Sequence, residues 1–135
     1  MRKQPLQPIW ISKKALLLLH EVNLSQFGGA PGLRDEGLLE SALARAQNLH
    51  LYNAKSTLAE LAASYGFGLA RNHAFIDGNK RAAFLSIGMF LAINGQRLVV
   101  DQIDAIQTML ALARGDLDEP GLASRVATHC EPNPG

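Results

Sequence analysis

Apolar residues recur every three to four positions along most of the chain, and short polar or glycine-bearing breaks interrupt them. That period marks amphipathic helices, and the breaks mark their ends. Ser12 carries a side-chain oxygen suited to cap a first helix reaching about residue 27, with Ala15, Leu16, Leu19 and Val22 on one face. Gly28, Gly29, Ala30, Pro31 and Gly32 form the least helix-compatible stretch, which is expected to be an exposed loop. Asp35 caps a second helix, where Leu39, Ala42, Leu43 and Ala46 fall at helical spacing. The pattern lapses over residues 51–56, and Thr57 and Glu60 then have the spacing of a capping box. The third helix that follows is predicted to bury Leu58, Leu61, Ala62, Tyr65 and Leu69.

Beyond a loop at 75–78, a fourth helix starts at Asn79 or Lys80. It is apolar on every side from 82 to 93, which predicts a helix surrounded by others. Asn94 and Gly95 end it, and 97–100 reads as a short extended link. Asp101 caps a fifth helix carrying Ile103, Ile106, Leu110 and Ala113, and Gly115 closes that helix. A last short helix starts near Asp118, with Pro120 tolerated in its first turn. No segment alternates for long enough to build a sheet. The expected fold is an all-α bundle of about six helices around a buried central helix, the fourth. It forms one domain over residues 1–135, with a core at roughly 9–129.

Composition narrows the picture further. The core must be made mainly of Leu, Ile, Val and Ala, because aromatics are few. A formal net charge of +1 gives no reason to expect direct contact with nucleic acid or membrane. Arg2, Lys3, Lys13 and Lys14 read as a solvated face. Cys130 is the only cysteine, so no intramolecular disulfide can form, and beside His129 it reads as a spectator. Leu16, Leu17, Leu18 and Leu19 make too short a run for a signal peptide. The apolar stretch 82–93 falls short of the roughly 18 residues a membrane span needs. A soluble, cytoplasmic protein is expected.

The chemistry concentrates in residues 71–81, Arg71-Asn72-His73-Ala74-Phe75-Ile76-Asp77-Gly78-Asn79-Lys80-Arg81, between two apolar helices. The fourth helix offers this loop its free N–H groups and the positive end of its dipole. Lys80 and Arg81 in the first turn add positive charge to that end, which is unfavourable for the helix alone. The arrangement makes sense when an anion sits there, and a polyphosphate is the obvious candidate. Gly78 lets the backbone approach that anion closely. Histidine changes charge near neutral pH, so His73 suits a general base acting on a hydroxyl. Asp77 is a hard oxygen ligand suited to Mg²⁺, which takes only one or two protein carboxylates. Phe75 reads as an apolar pin for the loop. Taken singly, His73 could be an ordinary surface histidine, Asp77 a cap, and Lys80 and Arg81 a solvated turn. Their concentration at one helix start argues for a site.

Other motifs fail on spacing. A Walker loop needs Ser or Thr directly after its lysine, where Arg81 stands. An EF-hand starting at Asp77 would need Glu where Gly88 stands. His20-Glu21 lacks the second histidine of a zincin helix.

The nine residues from His73 to Arg81 match H-x-F-x-[DN]-[AG]-N-K-R, and the chain therefore resembles the Fic/Doc family. Upstream, Gly32-Leu33-Arg34-Asp35 and Gly37-Leu38-Leu39-Glu40-Ser41-Ala42 are similar to a segment of its death-on-curing toxins. The resemblance covers roughly residues 9–129. It implies His73 as general base, Asp77 as Mg²⁺ ligand, and Gly78, Asn79, Lys80 and Arg81 as the anion hole for ATP, with Arg71 as an extra phosphate contact. Fic adenylyltransferases typically continue G-N-G-R-x-x-R, whereas here Lys80 replaces the second glycine and Phe84 the second arginine. The Doc branch departs in the same way. It presents the γ-phosphate to its target, which implies a kinase toxin acting on a threonine of elongation factor Tu and inhibiting translation. Gly78 is the Fic-like choice and leaves room for AMP or other NMP transfer, so that alternative stays open, as does an inactive binding module. The self-restraining motif [ST]-x-x-x-E-[GN] is absent, because Gly32 precedes Glu36-Gly37 by the required spacing. Restraint by a Phd-type antitoxin, laid as a helical segment into a groove, is the expectation that follows.

Overall fold

The computed structural model describes residues 7–133, so Arg2, Lys3 and Pro5 lie outside it. Six helices follow one another: α1 (Lys13–Phe27), α2 (Glu36–Tyr52), α3 (Leu58–Asn72), α4 (Asn79–Ile93), α5 (Gln102–Arg114) and α6 (Glu119–His129). The caps lie where the side-chain chemistry puts them. Ser12, Asp35, Asp101 and Asp118 each accept a backbone N–H of the helix they start. Thr57 and Glu60 close a full capping box.

The helix at the centre is α3, not α4. It packs most extensively on α4, α2 and α6, and ten of its residues are buried. Small side chains on every side, Ala59, Ala62, Ala63, Ser64, Gly66, Gly68 and Ala70, allow this close approach. A Cβ on Gly66 would come within 2.5 Å of Ile87 Cδ1, and one on Gly68 within 2.6 Å of Arg45 Cδ. The more hydrophobic α4 has an outer side instead: Ala92 and Ile93 are exposed, and nothing lies within 4 Å of a Cβ placed on Gly88. Bulk on every side suggested encirclement, but smallness on every side is what permits it.

Two further helices differ from the pattern in the faces they bury. In α1 the buried residues are Leu16, His20 and Asn23, while Val22 faces solvent. In α5 they are Ala105, Met109 and Leu112, and the residues that marked the helical period, Ile103, Ile106 and Leu110, are exposed.

The link at 97–100 corrects the expectation that no sheet forms. Strand β1 (Gln96–Leu98) pairs antiparallel with β2 (Cys130–Pro132), in the register Gln96 with Pro132 and Leu98 with Cys130. An Arg97–Glu131 ion pair at 2.6 Å joins their centres. Three residues per strand are too few for an alternating pattern to be visible. Cys130 donates from its thiol to Gln96 Oε1 at 3.3 Å, and burial, then the nearby Glu131 charge, pushes its pKa up. Among the described residues no helix is long and apolar enough to cross a membrane.

Helix α1 lies antiparallel to α4. At one end Asn94 exchanges two hydrogen bonds with the Ile9 backbone, at 2.7 and 2.9 Å. At the other, the Arg81 guanidinium sits 4.0 Å above the Phe27 ring. This pairing carries the C-terminal half of α1 to the loop between α3 and α4.

Candidate active site at the α3–α4 loop

Helix α3 ends at His73, whose φ of 54° is the only positive value among non-glycine residues described. Such a conformation costs about 1–3 kcal/mol and persists only where surroundings enforce it. Here the enforcing group is Arg34. Its Nε donates to the His73 carbonyl at 2.6 Å, and a terminal nitrogen donates to the Asn72 carbonyl at 3.0 Å. A guanidinium is well placed at a helix C-terminus, where unpaired carbonyls carry partial negative charge. The turn leaves the His73 side chain exposed, and its ring makes no hydrogen bond to the described residues.

The loop is anchored from within and from below. The Asn79 carboxamide clasps the backbone of Phe75, accepting its N–H at 3.0 Å and donating to its carbonyl at 2.9 Å. Phe75 is buried and stacks on His20, with centroids 3.7 Å apart and planes 12° off parallel. His20 Nε2 lies 2.8 Å from the Asp77 carbonyl oxygen. A carbonyl only accepts, so this nitrogen carries the proton.

The glycine-rich segment 28–32 is exposed as expected, yet it is tied to the loop. Leu33 and Phe75 form a β-bridge, Ile76 N–H donates to the Gly32 carbonyl, and the N–H groups of Arg34 and Asp35 share the Ala74 carbonyl. Ala30 N–H donates to Asp77 Oδ2 at 3.2 Å. Gly29, at φ 124°, lies so close that an added Cβ would stand 3.0 Å from that oxygen and 2.9 Å from Leu24 Cδ2. Segment 28–32 therefore forms one wall of the site.

Asp77 Oδ1 accepts the Gly78 N–H at 2.8 Å. Gly78, at φ 76° and ψ 20°, is the N-cap residue of α4 and offers no side-chain cap. The first α-helical bond runs from Ala82 N–H to its carbonyl, which leaves the amides of Asn79, Lys80 and Arg81 without helical acceptors. Lys80 and Arg81 are both exposed beside those amides. An electropositive helix start, an exposed imidazole and a carboxylate are thus all carried by the short stretch from His73 to Arg81.

The assigned residues are not all equivalent. Asn79 offers an anion only its backbone N–H, because its side chain is committed to Phe75. Arg71 lies over the Phe67 ring at 5.4 Å, one turn back along α3, rather than among the residues that start α4. Arg34 and His20 were missed as site residues by sequence reasoning, and only their positions in the fold give them roles. Their partners are backbone carbonyls, which leave no mark in a sequence.

The Asp77 carboxylate is compatible with magnesium: each of its oxygens accepts one backbone N–H and keeps a lone pair. One carboxylate, completed by substrate phosphates and water, is how magnesium is commonly bound.

The pattern of the Fic/DOC family matches residues 10–91, and the chain belongs to that family. It is 35% identical over 113 residues to the protein kinase doc of Escherichia phage P1, covering 84% of this chain and 89% of that protein. It is 39% identical over 104 residues to the toxin Doc of Mycolicibacterium smegmatis, covering 75% of this chain and 80% of the other.

Proposed function

We propose that this protein is the toxin of a toxin–antitoxin pair and a magnesium-dependent phosphotransferase, moving the ATP γ-phosphate to a serine or threonine hydroxyl of a protein. The observation that carries the reading is that the α3–α4 loop carries an exposed His73 imidazole and the Asp77 carboxylate directly before the uncapped start of α4 with Lys80 and Arg81. The names of both relatives support it, one as a kinase and one as a toxin.

In this reading His73 takes the proton of the attacking hydroxyl as its oxygen bonds to the γ-phosphorus, and the bond to the ADP oxygen breaks. The amides of Asn79, Lys80 and Arg81, with the Lys80 and Arg81 cations, hold the phosphates, and Gly78, its own N–H taken by Asp77, lets the backbone come close to them. Arg71, over Phe67, is the extra phosphate contact that the resemblance implies. Asp77 would hold a magnesium ion, which would neutralise phosphate charge. The family resemblance points to elongation factor Tu as the target, to inhibition of translation in the cytoplasm, and to a Phd-type antitoxin as the restraining partner. Exposed Leu18 and Val22 on α1 give such a helical segment an apolar surface to cover.

Nucleotidyl transfer is the second reading, favoured by Gly78, which adds no side chain beside the phosphates. Incubation with γ-labelled or α-labelled ATP and a cell lysate separates the two. Label entering protein from the γ position alone supports phosphate transfer, and label from the α position overturns it. Wild-type protein that arrests growth only without its antitoxin supports the toxin assignment; harmless expression of an active preparation refutes it.

A further inference from the structure

Helix α1 sits in an orientation that apolar packing alone does not explain. It buries His20 and Asn23, each 4% exposed, and leaves Leu18 and Val22 at 58% and 48%. Two polar side chains go inside while two aliphatic ones face water, the reverse of the usual amphipathic arrangement. The inner stripe starts apolar at Leu16 and turns polar as it passes beneath the α3–α4 loop. Local conflict of this kind is expected where a residue serves a site.

His20 is aimed at one peptide unit. The Asp77 carbonyl and the Gly78 N–H belong to the same planar group. Its oxygen takes the His20 Nε2–H at 2.8 Å, and its N–H is held by Asp77 Oδ1 at 2.8 Å. Gly78, at φ 76°, has the backbone freedom that makes this plane easy to turn over. Turning it would remove the N–H from the carboxylate and set a carbonyl oxygen beside it, oxygen against oxygen. The same ring, stacked on Phe75, fixes the other end of the loop. Asn23 lies one turn further along α1, with its Nδ2 3.6 Å from where a Gly78 Cβ would stand.

We infer that His20 is a positioning residue: by locking the Asp77–Gly78 peptide plane it sets where the Asp77 carboxylate points and how the first amides of α4 are presented to phosphate. This rests on the phosphate-transfer reading above. It differs from a packing role because the N–H donor, and not only the ring, is required.

Three full-length variants test it. His20→Phe keeps the stacking ring and removes the donor. His20→Gln keeps a donor within reach and removes the ring. Leu16→Val perturbs the same stripe of α1 away from the loop. Two readouts are compared with wild type: Mg-ATP affinity by calorimetry, and the Gly78 amide resonance in ligand-free protein, assigned by NMR. The expected result is at least a tenfold weaker affinity and a displaced Gly78 amide in His20→Phe. In His20→Gln affinity returns to within threefold, and in Leu16→Val both readouts stay unchanged despite lower thermal stability. Wild-type affinity with an unmoved Gly78 amide in folded His20→Phe overturns the inference. Wild-type protein that binds no Mg-ATP overturns the functional reading itself, a distinct outcome.

Discussion

Arg34 holds His73 through the backbone. Its guanidinium spans the carbonyls of Asn72, the last residue of α3, and His73, its C-cap. The side chain proposed to take a proton is thereby projected from a left-handed turn. Arg34→Met keeps much of the stem and removes both donors. Stability should fall by about 1 kcal/mol, modest because Arg34 is exposed. Turnover should fall by about 10- to 100-fold with Mg-ATP affinity little changed, since His73 loses its placement while the phosphate groups keep theirs. Denaturant titration and label transfer read the two quantities separately. Equal losses in stability and affinity with unchanged turnover would refute the coupling.

Glycine matters for different reasons at Gly78 and Gly66. At Gly78 a Cβ meets only ordinary contacts, the nearest being His20 Nε2 at 3.5 Å, so the objection to alanine is conformational. Gly78→Ala should cost about 1–2 kcal/mol and still fold. At Gly66 the objection is space, because Ile87 Cδ1 and Cγ1 stand 2.5 and 2.8 Å from the added atom. Gly66→Ala should cost about 1–3 kcal/mol. Combining it with Ile87→Val, which deletes the nearer atom, should cost less than the two single changes summed. Additive losses in a double-mutant cycle would disprove the clash.

Helix positions and caps were legible because they rest on local chemistry. Asp35, Thr57, Asp101 and Asp118 cap within three residues of themselves, and the loop motif lies in one continuous run. The inward faces of α1 and α5 were not legible, since burial depends on neighbours distant in sequence. The central place of α3 escaped notice because alanine and glycine register weakly as hydrophobic, although their small size is what admits neighbours on all sides. Arg34 and His20 escaped for a related reason: each bonds to main chain 38 to 57 residues away.

The face of α5 is itself testable. Ile103 is 65% exposed and Ile106 53%, whereas Met109 is 5%. Ile103→Lys and Ile106→Lys should each change stability by no more than about 0.5 kcal/mol. Met109→Ala should cost about 2–5 kcal/mol. Chemical denaturation of the three variants decides the matter. Loss of folding on introducing either lysine would mean that α5 packs through the face its sequence period suggests.

Alkaline pH should destabilise the fold through two acids, the buried Tyr65 and the half-buried Cys130. Tyr65 is fully buried, and burial raises its pKa; the hydrogen bond its oxygen accepts from Ile11 N–H, at 3.1 Å, acts in the opposite and weaker sense. Cys130 is raised by burial and then by Glu131. Once unfolded, both groups ionise at their ordinary values, so above those values the unfolded chain binds fewer protons than the folded one. By linkage, stability is fully present below the ordinary cysteine value, about 8.5, and is lost as pH rises through cysteine and then tyrosine ionisation. Cys130→Ala should flatten the first part of this decline. Tyr65→Phe should flatten the second, starting from a stability about 1–3 kcal/mol lower at neutral pH because Ile11 N–H loses its partner. Denaturation midpoints between pH 7 and 11 check both slopes, and a variant curve running parallel to wild type would remove that residue from the account.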